Sequence, residues 1–149
     1  MNPELAAMAA TLAELRSSFL RKTAGIEDSD ARRSTVPSGT NLAGLLQHLT
    51  FVESHWFEHV VAGKPPSRGQ RSMQVPTGVS LRALRADYKA ACAASDSIIS
   101  AVADPAAVVA KAGKITHLRG VMLVVITETA RHCGHADILR EQTDGRTGR

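Results

Sequence analysis

Between His117 and Gln142 apolar side chains return every three or four positions, at Leu118, Val121, Val125, Ala136 and Leu139, and no proline interrupts them. That period draws a stripe down one side of an α-helix, and at about 1.5 Å per residue the segment predicts a rod of roughly 39 Å. A stripe that long needs other helices to cover it. Three further segments carry matching stripes: Pro3 to Lys22 (Leu5, Met8, Leu12, Leu15, Phe19), Thr40 or Asn41 to Gly63 (Leu42, Leu45, Leu46, Leu49, Val52, Trp56, Val60) and Ser80 to Val102 (Leu81, Leu84, Tyr88, Ala91, Ser95, Ile98). Pro3 suits an opening turn, Asn41 and Ser80 can cap, and Gly63 followed by Pro65 and Pro66 is a stop. Alternating apolar and polar runs, which strands need, are missing. The expected fold is all-α, a four-helix bundle spanning residues 1–149 as a single domain.

The connections are unequal. Gly25 to Ser38 reads as a polar link, and Asp104 to Lys114 as a shorter one with room for a helical turn. Lys64 to Val79 is rich in Gly, Pro, Ser and Arg and predicts a long, mobile surface loop, a length usually tied to function.

Composition removes several classes of function. A hydrophobic content of 44% supports a packed core, and 18 Lys plus Arg against 14 Asp plus Glu gives a net charge of +4 with no basic block. The basic residues form no stripe on any one predicted helix and aromatics are 3% of the chain, which argues against nucleic acid as a partner. No apolar run is long enough to cross a membrane. Two cysteines, Cys92 and Cys133, do not make a disulfide framework or a zinc-finger signature, so a reducing cytoplasmic setting is expected. A homodimer is plausible for a small bundle, but no face is marked for it.

The residues that break the stripes carry the chemistry. Glu128 and His132 stand where the last stripe calls for leucine, and His48 borders the stripe of the second helix. A lone carboxylate in an apolar seam costs several kcal/mol unless it is paired, protonated or bound to a cation. At i and i+4 a carboxylate and an imidazole project from successive turns of one face and can share an ion. With one more imidazole from a facing helix they make a two-His, one-carboxylate set, a recurrent open site for a divalent metal. The alternative is an ordinary polar network in which Glu128 pairs with Arg131, Arg82 or Arg85 and His132 joins in. His55 and His59 have ligand spacing too, but lie on the edge of their helix beside Glu58. Cys133 points about 100° away from His132, toward packing rather than chemistry.

The segments NLAGLLQHLTFVESHWFEHVVAGKP and ETARHCGHADILREQTDGRTG resemble the DinB-like superfamily, on its branch near the mycothiol-dependent maleylpyruvate isomerases. The resemblance implies a four-helix bundle holding a divalent metal, zinc or nickel, through His48, Glu128 and His132. Val124 stands where close relatives often carry another His. The implied activity is S-transfer or isomerisation that uses a small-molecule thiol such as mycothiol and an electrophilic substrate. The alternative is a bundle that binds metal or a small ligand without turnover. A carboxylate- or sugar-bearing thiol needs cations at the mouth, and the candidates are Arg140, with Arg68 and Arg71 on the long loop.

Overall fold

The computed structural model of this chain describes residues 2–66 and 68–148. Its α-helices are α1 (Pro3–Lys22), α2 (Asp28–Arg32), α3 (Leu42–Glu53), α4 (Leu81–Val102) and α5 (Leu118–Asp144). A π-helical segment, Ser54–Val61, continues α3 without a break. Among the described residues there is no strand; Val108 and His117 form one isolated antiparallel bridge. Four long rods therefore make up the expected all-α bundle, with α1 packed on α5 and α3 packed on both α4 and α5.

The caps follow the sequence. Asn2 accepts from the backbone N–H of Glu4 and Leu5 ahead of Pro3, Asn41 accepts from Gly44 at 2.8 Å, and Ser80 accepts from Ala83 at 3.1 Å. Each satisfies donors that the first turn of a helix leaves unpaired. Leu5, Leu12, Phe19, Leu45, Leu46, Leu49, Tyr88, Leu118, Val121 and Val125 meet in the core, where Phe19 and Tyr88 pack edge to face at 5.5 Å.

Three features differ from expectation. Asp28–Arg32, inside the polar link, is a short helix that five residues could not sustain alone; Ala31, fully buried, pins it to the core. The second rod changes from α to π at Ser54, so that Ala62 N–H donates to the carbonyl of Phe57, five residues back. The long loop is the third. Residues 69–75 lie strapped along α3 rather than free in solvent. Gln47 Nε2 donates to the carbonyls of Ser72 (2.8 Å) and Gln74 (3.0 Å), and Asn41 Nδ2 donates to that of Met73 (3.0 Å). Gly44 lets the strap approach, since a Cβ there would strike the Met73 backbone. Gly69 (φ +66°) turns the chain where a Cβ would collide with Phe51 N and the Gln47 carbonyl.

Candidate metal centre

α5 does not bury Glu128 and His132 as leucines would be buried. The line that enters the core runs through Val125, Thr129, Cys133 and Ala136, and the Glu128 and His132 side chains lie along its edge, 26% and 12% exposed. A rigid helix turns by 100° per residue, so steps of three and four wander off a single line, and two adjacent faces share the stripe. The edge that carries them faces α3, where His48 meets them.

The three side chains converge. His48 Nε2 is 3.6 Å from Glu128 Oε2, His132 Nε2 is 3.5 Å from the same oxygen, and one ligand atom from each residue lies within 4.8 Å of the others. The His48 and His132 rings sit edge to face, with centroids 4.7 Å apart. These separations are too long for good hydrogen bonds, whose N···O distances cluster near about 2.9 Å. They match the spacing between neighbouring ligands of a tetrahedral cation with bonds of about 2.1 Å, roughly 3.4 Å. His48 Nε2 is buried and has no hydrogen-bond partner among the described residues. A buried polar atom left in that state wants a partner, and a cation between the three would supply it.

Each ligand is aimed by a second contact. His48 Nδ1 lies 3.3 Å from the carbonyl of Arg71 in the strap. A carbonyl only accepts, so this contact puts the proton on Nδ1 and leaves Nε2 bare toward Glu128. His132 Nδ1 faces His135 Nδ1 at 3.2 Å; with His132 as donor, its Nε2 is likewise bare. Glu128 Oε1 takes Arg131 Nη1 at 3.2 Å, an exposed pair on the outer side, while Oε2 turns inward. The Arg131 pair of the polar-network alternative is thus present on Oε1, while His132 and His48 lie 3.5 and 3.6 Å from Oε2. Arg85 is elsewhere, donating to the Leu20 carbonyl and Thr23 Oγ1. Burial, and next the neighbouring His48, lower the His132 pKa to about 4, so the ring is neutral at pH 7 and ready to ligate.

The three cations expected at the mouth differ in their settings. Arg140 is 2% exposed: its Nη1 donates to the carbonyls of Lys22 and Ala24, its Nη2 to that of Gly25, and its Nε pairs with Asp144. It ties the end of α1 to α5 as a structural clamp, through three carbonyls and one carboxylate. Arg68 Nε lies 3.5 Å from Glu58 Oε2, and the Arg71 guanidinium lies 5.8 Å over the Phe51 ring. His55 stacks on Phe51 at 5.4 Å, on the rim as expected, and its pKa is lowered by burial and by His59. Neither cysteine is a poised nucleophile. Burial, then the Glu53 charge, raises the Cys92 pKa to about 12, and Cys133 is 7% exposed and donates to Ser18 Oγ.

A second charged group went unread in the sequence. Arg16, 5% exposed, grips Glu53, 1% exposed, through two bonds of 2.7 Å and reaches Asp96 with a third of 2.7 Å. Its signal was the stripe itself, since Arg16 falls between Leu12 and Phe19 at steps of four and three.

Among known families, the model described as MST: Mycothiol-S-transferase matches residues 7–145. No curated protein matches the chain.

Proposed function

The chain belongs to the mycothiol-S-transferase family, and from that premise we propose that it binds a divalent cation through His48, Glu128 and His132 and transfers a low-molecular-weight thiol, mycothiol, to an electrophile. The observation that carries the reading is the convergence of His48 Nε2, His132 Nε2 and Glu128 Oε2 at ligand spacing, with the first of them buried and without a hydrogen-bond partner among the described residues. A divalent cation supplies Lewis acidity, which lowers the pKa of a thiol and raises its thiolate fraction at neutral pH.

The chain's own residues do the rest. Three protein donors leave room for a donor from a substrate. Glu128 contributes the one full negative charge, so the loaded centre stays net positive and attracts a thiolate more than a neutral thiol. The Arg71 carbonyl and His135 keep the two imidazoles turned inward, the kind of outer contact whose loss typically weakens metal binding by about 10- to 100-fold. Imidazole and carboxylate donors suit zinc or nickel. Among the described residues no helix is long and apolar enough to cross a membrane, and the reading puts the protein in the cytoplasm, where such thiols are kept reduced.

Metal content decides the matter first. Wild type reconstituted with zinc or nickel should hold stoichiometric metal, and His48→Ala and Glu128→Ala should hold almost none. The loaded wild type should then consume mycothiol and an alkyl bromide above the uncatalysed rate. Wild type that retains no more metal than the two variants would overturn the proposal.

A further inference from the structure

An apolar groove begins where the metal cluster ends. It is walled by Val36, Ser38 and Thr40 from the connection between α2 and α3, and by His135, Ile138 and Leu139 from α5, and it encloses about 240 Å³. The two hydroxyls do not make it polar, because Ser38 Oγ and Thr40 Oγ1 are 3.0 Å apart and satisfy each other. Leu139, 4% exposed, belongs to the core, whereas Ile138 is 55% exposed, one of few large apolar side chains left to solvent. His135 is common to groove and cluster: it lines the groove and holds His132 Nδ1 at 3.2 Å. The groove therefore runs from one to two helical turns beyond a proposed ligand, along the same helix.

We propose that this groove seats the hydrocarbon substituent of the electrophile, so that the acceptors are apolar alkyl or aryl compounds rather than charged metabolites. The inference rests on the transferase reading above, which requires an electrophilic carbon within reach of the cluster. At roughly 30 Å³ for a water-sized unit the groove holds a group of about six to eight non-hydrogen atoms. No charged side chain lines it, so a carboxylate or phosphate placed there would lose hydration with nothing in return. With an alkyl bromide the sulfur lone pair forms the new C–S bond as the C–Br bond breaks. Bromide leaves with the bonding pair, and the thiol proton passes to water.

Binding is tested without metal or turnover, by titrating the protein with hexan-1-ol and following side-chain methyl resonances. Saturable shifts confined to Val36, Ile138 and Leu139, absent with ethanol and abolished in Ile138→Trp, which fills the groove, are the expected result. Ile138→Asn, at an exposed position, gives a second variant that should weaken the shifts with the far-ultraviolet circular dichroism intact. In the zinc-loaded protein the KM for 1-bromoalkanes should fall roughly fourfold per added methylene up to hexyl, and the trend should flatten in Ile138→Trp. Turnover of bromides with no dependence on chain length and no hexanol shift would overturn the groove and leave the transferase reading standing. Hexanol binding with no turnover of any bromide would overturn the transferase reading, and with it the identity of the occupant.

Discussion

Two groups of polar side chains are set among the helices of this bundle, and they are built on opposite plans. Around Arg16 charge is closed on itself: the guanidinium fork meets both oxygens of Glu53 and one of Asp96, all at 2.7 Å. Burial works against the Arg16 charge, but Glu53 and the hydrogen bonds outweigh it and hold its pKa above the usual value. Around Glu128 charge is left open. The same oxygen is approached by two imidazoles at 3.5 and 3.6 Å, and His48 Nε2 is buried without a hydrogen-bond partner among the described residues. The first arrangement joins α1, α3 and α4 and needs nothing from outside. The second turns two imidazole nitrogens and a carboxylate oxygen toward one another, the donor set that the proposed cation would use.

The contrast is tested most severely at Glu53. Glu53→Ala strands a buried guanidinium and should cost about 3 to 5 kcal/mol in urea denaturation, whereas the double change Arg16→Met with Glu53→Leu should recover most of it. Glu128→Ala should do the reverse. In the presence of a chelator its stability should stay within about 1 kcal/mol of wild type, because the carboxylate is partly solvated and its arginine partner is exposed. Zinc at 100 times its dissociation constant should stabilise wild type by about 2.7 kcal/mol and Glu128→Ala not at all. Equal stabilisation of both would show that zinc binds somewhere else.

A subtler change sharpens the comparison by leaving every ligand in place. Gly44→Ala drives the Met73 backbone off α3 and loosens the strap that carries the Arg71 carbonyl. Zinc affinity, measured by competition with a chromophoric chelator, should fall by about 10- to 100-fold, and the imidazole nitrogen shifts of His48 should move toward a mixture of tautomers. An unchanged affinity would remove the strap from the site.

The smallest effect is in pH. The folded protein holds the His132 pKa down to about 4, through burial and the nearby His48, whereas an unfolded histidine titrates near about 6.5. Between those values the unfolded chain carries the extra proton, so stability of the metal-free protein should fall as pH drops from about 6.5 to 4. After solvent screening at a partly open site, the His132 share should be about 1 kcal/mol. Denaturation midpoints of wild type and His132→Asn across that range measure it, and parallel curves would contradict it.

Much of this was legible along the chain. The bounds of α1 and α4 follow from Pro3, Ser80 and their stripes, and α5 extends two residues beyond the expected Gln142, to Asp144. His48, Glu128 and His132 stood out because they break apolar periods, and the fold brings them together. The setting of Arg140 was not legible along the chain: it faces three carbonyls around the end of α1 that lie 115 or more residues away in sequence. The fit of the strap was not legible for the same reason: its Gly, Arg and Ser residues stay at the surface as their type suggests, but Asn41, Gln47 and Gly44 are shaped to hold its backbone.

Local rules thus determined the helices, their caps, the sides they bury and which polar residues would be anomalous there, because hydrogen bonding and burial along one helix depend on spacings of three and four. Tertiary structure alone decided which anomaly was closed and which was left open. Whether a buried charge is satisfied depends on what a distant segment brings to it, and a guanidinium reached Glu53 while imidazoles reached the inward oxygen of Glu128.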